Sequence, residues 1–256
     1  MLRAQWASDT NKQTEAMNEL QTALNLPNPP NRIECFDIST LQGTATVASR
    51  VVFVQGTPRK SEYRKFNIRT VVGEPNDFQS MREALTRRFA RYVDTINNPL
   101  TGPGQKEKDE TWRLLPDLLI IDGGKGQLGI AVEVLDAFHL RDQVPVVGLA
   151  KQYEEIFQPG SPNPIILPRR SQALFLVQRV RDEAHRFAIT ANRNQRTKAG
   201  LVSQLEGVAG VGPARRKALL KSFDNDIDAI RKASVEDLMR VPGVSRAVAE
   251  AIKANL

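Results

Sequence analysis

The chain has 256 residues, enough for one large domain or for a medium domain plus a small one, and its 41% hydrophobic and 25% charged content is ordinary for a globular protein with a sizeable core. The net charge of +7 points to a polyanionic partner, either nucleic acid or an anionic membrane surface. No apolar run approaches the roughly 20 residues of a membrane span, the opening residues hold no apolar signal core, and the single cysteine, Cys35, excludes an internal disulfide and a cysteine-rich zinc site. A reducing, cytoplasmic setting fits this usage.

In chain order, residues 11–24 read as a polar helix with a thin apolar stripe, stopped by Pro27, Pro29 and Pro30. This helix reads either as the tail of something upstream, which would make the chain a fragment, or as a simple N-terminal arm. Three strand-like runs follow at 33–38, 44–54 and 61–68, with a turn signal at Gln55-Gly56-Thr57-Pro58, and short connections of this kind predict an antiparallel meander. Residues 76–93 form an amphipathic helix, with Asn76 or Asp77 as N-cap and Phe78, Met81, Leu85 and Phe89 on one face. The polar, Gly/Pro-rich stretch 97–111 reads as a loop or insertion outside the core. Continuous apolar runs at 118–121 and 144–150 predict strands buried on both faces, with helices at 126–138 and 171–192, the latter capped by Ser171. Residues 159–168 hold four prolines and must be irregular or edge strand. The order β-β-β-α-β-α-β-α predicts an α/β fold, a mixed sheet flanked by helices, and it is the element order of the ribonuclease H-like fold.

Beyond a basic linker at 194–203, the chain repeats itself. Residues 208–219 align with 241–252 at an offset of 33 throughout, and Leu205 pairs with Leu238. Two copies are too few for a solenoid, and the ankyrin signature is missing. Each copy reads as helix, Gly-containing turn, helix. In the first, Gly210-Val211-Gly212 makes the turn and Pro213 opens the next helix. Such a turn exposes backbone N–H groups beside the positive end of a helix, a site for a phosphate oxygen, and Arg215, Arg216 and Lys217 follow as counter-charge. These contacts read backbone and not base sequence. In the second copy Gly243 keeps its place and Ser245 stands where the first has Gly212. The pattern resembles a tandem helix-hairpin-helix DNA-binding domain; the plainer reading is two ordinary helical hairpins packed on each other.

In the body, Asp37 interrupts an otherwise apolar first strand, where a buried carboxylate is costly unless paired or bound to a cation. Asp122 ends the buried strand at 118–121, at the carboxyl edge of the sheet where ligand sites of α/β folds collect. If strands one and four are adjacent, the two aspartates converge on a hard cation, Mg²⁺ or Mn²⁺, which could activate water for in-line displacement at phosphorus. The last helix of the body carries Asp182, Glu183 and His185; the histidine can ligate a metal or act as general base, and either carboxylate could replace it. A lone helical histidine is more often structural, and the company of Asp37 and Asp122 is what argues otherwise. His139, at a helix end, reads as a surface or capping residue. The turn Gly123-Gly124-Lys125-Gly126 is not a Walker loop, but it could approach a DNA phosphate with Lys125 as counter-charge. Lys151, at another carboxyl edge, could line the same cleft, and both lysines read equally well as solvated surface.

Several motifs in order resemble the C-terminal half of the UvrC family of bacterial excision nucleases. They are residues 33–39 (IECFDIS), 41–49 (LQGTATVAS), 63–68 (YRKFNI), 121–127 (IDGGKGQ), 148–151 (GLAK) and 181–188 (RDEAHRFA), followed by the expected tail, so that the likeness covers about residues 25–256. The resemblance implies a ribonuclease H-like endonuclease domain that incises on the 5′ side of a lesion in damaged double-stranded DNA. It implies a catalytic, metal-binding set at Asp37, Asp122 and His185. In some members an aspartate matching Asp77 is linked to activity, although its spacing here reads first as a helix cap. It also implies that the family's N-terminal nuclease, cysteine cluster and segment for a UvrB-type helicase partner are missing, and no membrane role. The expected organisation is an upstream helix and Pro-rich linker at 1–30, the endonuclease domain at 31–193, a linker at 194–203 and the tandem domain at 204–256. Two alternatives stand beside it: a DNA-binding module with an inactive nuclease fold, and a nuclease for RNA–DNA hybrids or junctions on the same scaffold.

Overall fold

The computed structural model describes residues 10–41, 45–71, 76–98, 109–150, 154–224 and 226–256, with the backbone alone described at 41, 45, 191–204 and 206. The chain divides into two units, Met1–Asn192 and Arg193–Leu256. Among the described residues no helix is long and apolar enough to cross a membrane.

The first unit is built on a seven-stranded mixed sheet. Its strands are β1 (Arg32–Leu41), β2 (Ala45–Val54), β3 (Thr57–Pro58), β4 (Arg64–Asn67), β5 (Leu118–Ile121), β6 (Val146–Ala150) and β7 (Glu155–Phe157), and its helices are α1 (Thr10–Leu24), α2 (Asp77–Asn97), α3 (Lys125–Ala137) and α4 (Gln172–Glu206). The strand order is β3-β2-β1-β5-β6-β7, with β4 also paired to β2. β1 and β2 form a long antiparallel ladder from Arg32↔Val54 to Leu41↔Ala45, whereas β1–β5 and β5–β6 are parallel. The β2–β3 turn works because Gln55 (φ +50) and Gly56 (φ +71) are both left-handed, the geometry that matches the twist of a two-residue hairpin.

Strand alternation sends apolar residues to both faces of the sheet. Ile33, Cys35, Val51, Phe53, Leu118 and Ile120 meet α1 and α4 on one side, and Phe36, Ala48, Phe66, Leu119 and Ile121 meet α2 and α3 on the other. The N-terminal helix is therefore no arm. Its stripe is thin, but Ala16, Met17, Leu20 and Leu24 are all buried in the core of the body. Phe78 departs from the expected buried face of α2, being 51% exposed at the first turn, while Met81, Leu85 and Phe89 are buried as the periodicity predicts. Asn76 caps α2 by accepting from the Gln79 N–H at 3.0 Å, and Ser171 accepts from Leu174 N–H at 3.1 Å at the start of α4. β7, an antiparallel edge strand, has no clear signal in the sequence. The segment expected as a linker is helical, as α4 continues to Glu206; polar, basic composition removes an apolar stripe but does not oppose helical backbone.

In the second unit, α5 (Pro213–Ser222), α6 (Ile227–Lys232), α7 (Val235–Met239) and α8 (Arg246–Asn255) follow the end of α4. The repeat is visible in the core: Leu205 and Leu238, Val208 and Val241, Val211 and Val244, Leu219 and Ile252 stand 33 apart and all are buried.

Candidate metal centre

On β1, Ile33 and Cys35 point to the α4 side, so alternation places Asp37 on that side too. On β5 the same parity joins Leu118 and Ile120 to Asp122, one residue past the strand. The Asp122 N–H donates to the Phe36 carbonyl at 2.9 Å, which carries the β1–β5 ladder one step further and fixes the two aspartates side by side. Both are buried, at 1% and 4% exposure. Across them runs α4, whose Ala173, Leu176, Val177, Val180, Ala184 and Ala188 are buried. His185 lies at the flank of that stripe with its side chain 56% exposed, and its Nδ1 stands 3.4 Å from Asp37 Oδ2. One ligand atom from each of Asp37, Asp122 and His185 can be chosen so that all lie within 4.8 Å of one another. Two carboxylates and an imidazole are a hard-to-borderline donor set, which suits a divalent cation. Asp182 is instead ion-paired to Arg181 at 3.1 Å, and Glu183 to Arg186 at 2.7 Å.

Two neighbours of the centre, Ser49 and Arg181, lie in the motifs at 41–49 and 181–188 but were not singled out as site residues. Ser49, opposite Asp37 in the β1–β2 ladder, is buried and donates to the Ala184 carbonyl at 3.3 Å, holding α4 one residue before His185. Arg181, one helical turn before His185, is held by Glu154 and Asp182. Burial pushes the Cys35 thiol well up from its ordinary pKa, and the charges of Asp122 and Asp37 add to this. A serine and an arginine within a helical or strand pattern look like any others until the fold sets their neighbours.

The opposite face of the sheet carries a charged core of a different kind. Glu34 is fully buried, and Arg88 donates to both its oxygens at 2.9 Å, with Arg32 at 3.1 Å and Arg50 at 3.4 Å. Burial alone would raise the Glu34 carboxyl, but Arg50, Arg88 and Arg32 outweigh it and hold the pKa at about 2.

The remaining candidates are spread out. Lys125 donates to the Pro162 carbonyl at 2.8 Å and its Nζ sits 4.8 Å from the Phe157 ring centre. Lys151 lies outside the described residues. Asp77 is an exposed residue in the first turn of α2. His139 takes a left-handed conformation (φ +56) that ends α3. In the second unit, Gly210 (φ +81) and Gly243 (φ +84) make the two turns. The Val211 N–H closes its own turn on Val208 O at 3.1 Å, and Val244 does the same on Val241 O. Gly212 and Ser245 are the N-caps of α5 and α8, and neither helix has a side-chain cap. Arg215 reaches back to the turn carbonyls, Nη1 to Gly210 O and Nε to Gly243 O, each at 2.7 Å.

The sheet order, the flanking helices and the Asp-Asp-His cluster define a ribonuclease H-like nuclease domain, and the helical repeat behind it is a tandem helix-hairpin-helix. The chain belongs to the family described as the UvrC RNAse H endonuclease domain, whose model matches residues 21–189, while residues 202–256 match the SAM-like helix-hairpin-helix tandem. It is 44% identical to the UvrABC system protein C of Thermobifida fusca, over 99% of this chain and 40% of that protein. To the protein of the same name from Acidothermus cellulolyticus it is 46% identical, over 98% of this chain and 40% of that protein. The chain thus spans about two fifths of the length of these curated relatives. Among solved structures, that of human ENDOV aligns with a TM-score of 0.34 and 11% identity, over 72% of this chain and 100% of that one, a likeness too slight to bear on function.

Proposed function

We propose that this chain is the module that hydrolyses a DNA phosphodiester on the 5′ side of a lesion in nucleotide excision repair, using a divalent cation, Mg²⁺ or Mn²⁺, held by Asp37, Asp122 and His185. The observation that carries this reading is the meeting of those three side chains, from three separate elements, within 4.8 Å. When bound, the cation supplies Lewis-acid polarisation of the scissile phosphate and lowers the pKa of water at neutral pH. Asp37 and Asp122, fixed by the β1–β5 ladder, hold the centre in register with the sheet edge, and His185 closes it from α4. The hairpin turns of the second unit grip the DNA backbone through N–H groups at the starts of α5 and α8, with Arg216 as counter-charge. Lys125 and Lys151 belong to the body's contribution to the same backbone. The relatives' shared name, UvrABC system protein C, is in keeping with UvrA- and UvrB-type partners, and a cytoplasmic setting is part of the same proposal.

With such partners and a lesion-bearing duplex, Asp37→Ala is expected to abolish cation-dependent incision and to leave duplex affinity within about twofold. Unchanged incision by Asp37→Ala would overturn the assignment. Robust incision by the unaltered chain excludes an inactive nuclease fold. Preference for RNA–DNA hybrid or junction substrates over lesion duplex would reassign the substrate.

A further inference from the structure

We propose that Arg215 is the brace that sets the spacing of the two hairpin turns, so that it acts on DNA through the turns it ties together and not as a counter-charge to phosphate. The inference rests on the DNA-binding reading of the second unit. Arg215 is the third residue of α5, and at the offset of 33 its counterpart is Val248, the third residue of α8. Each covers the left-handed glycine of the other hairpin. A Cβ on Gly210 would meet Val248 Cγ2 at 3.0 Å, and a Cβ on Gly243 would meet Arg215 Cγ at 3.7 Å and Nε at 3.9 Å. The packing is therefore reciprocal, and the chemistry is not. Val248 only fills space. Arg215 adds two hydrogen bonds of 2.7 Å from one planar group, one to each turn's glycine carbonyl. A guanidinium presents its donors in a rigid fork, which fixes the separation of two acceptors in a way a lysine ammonium cannot. Two of its N–H donors are thus directed at the turn carbonyls, and in this proposal the counter-charge to phosphate is left to Arg216 and Lys217. The spacing of the turns matters because each offers N–H groups to a different point on a backbone of fixed geometry.

The distinguishing variant is Arg215→Lys, which keeps the charge and loses the fork. In the full chain, binding to an undamaged duplex is followed by fluorescence anisotropy over a range of salt concentrations. Arg215→Lys is expected to weaken binding about tenfold and to leave the slope of log K against log salt at the unaltered value, since the number of neutralised phosphates has not changed. Binding within twofold of the unaltered chain overturns the proposal. So does a slope that falls by about 0.9 in Arg215→Met and is restored in Arg215→Lys, the signature of one lost phosphate contact. In the DNA-free chain, amide relaxation at residues 210–212 and 243–245 should show Arg215→Lys loosening both turns together; two unchanged turns overturn the brace. A variant that is unfolded at the assay temperature also overturns it, by assigning Arg215 to the stability of the unit. If the unaltered chain shows no salt-dependent duplex binding, the DNA-binding reading fails, while the relaxation measurement still decides the brace.

Discussion

Ser49 shows how much of the centre depends on residues that never touch a ligand. It stands on β2 opposite Asp37, is buried, and donates its hydroxyl to the carbonyl just before His185. Ser49→Ala removes the tie and leaves the three donor side chains in place. We expect a stability loss of about 1 kcal/mol and a roughly tenfold loss of Mn²⁺ affinity, the usual scale for supports behind a metal ligand. Isothermal calorimetry with the cation alone measures it, and unaltered Mn²⁺ affinity would show that α4 is positioned without Ser49. Cys35 belongs to the same face but is fully buried, so a thiol reagent should label it only as fast as the body unfolds; rapid labelling of native protein would contradict the packing.

Among the elements, β1 has two chemically opposite faces. Asp37 stands on one, where a cation fits, and Glu34 on the other, where three guanidiniums meet a single carboxylate. That ion cluster links α2 to the sheet and involves two of the largest fully buried side chains, Arg50 and Arg88. Glu34→Gln leaves Arg50 and Arg88 facing a neutral group and Arg32 with its second partner, Glu62 at 2.7 Å, and breaking a buried pair on one side costs about 3–5 kcal/mol. The expected result is a large drop in melting temperature, and a drop of a degree or less would show that the cluster is not needed. Glu34 is held at about 2, below its ordinary value of 4.5. Its stabilising charge is therefore fully present above pH 4.5 and is lost as the pH falls towards about 2. Melting curves across that window should fall less steeply in Glu34→Gln than in the unaltered protein.

For the whole molecule, the proposed function divides the work between the two units, chemistry in the first and grip in the second. On that proposal, chelation of divalent ions should stop incision and leave duplex binding unchanged, because the phosphate contacts assigned to the hairpin turns use backbone N–H groups and cationic side chains and no cation. Raising salt should weaken duplex binding steeply, through the loss of counterion release. Gel-shift titrations with and without chelator measure both effects. Binding that disappears with the cation would place the main DNA contact at the metal centre and not in the second unit.

Much of this was legible along the chain. A carboxylate at Asp37 interrupting an apolar strand marked a candidate ligand, the apolar run before Asp122 announced a buried strand with a carboxylate at its edge, and the offset of 33 revealed the paired hairpins. Such signals are local, since periodicity and turn chemistry follow from neighbouring residues. The thin stripe of α1 did not reveal its burial, because burial depends on which surface arrives opposite it, and the exposure of Phe78 was hidden for the same reason. The arginine ring around Glu34 joins residues far apart in the chain, as does Ser49 against Ala184. Arg215 looked like one more cation in a basic run until folding brought two glycine carbonyls within its reach. The sequence by itself determined the fold class, most of the elements and the two aspartates of the candidate centre, and left His185 beside Asp182 and Glu183 until the family resemblance singled it out. The tertiary structure alone decided the convergence of Asp37, Asp122 and His185, their supports and the partner of each charge, because those are fixed by distances between segments that the chain order does not encode.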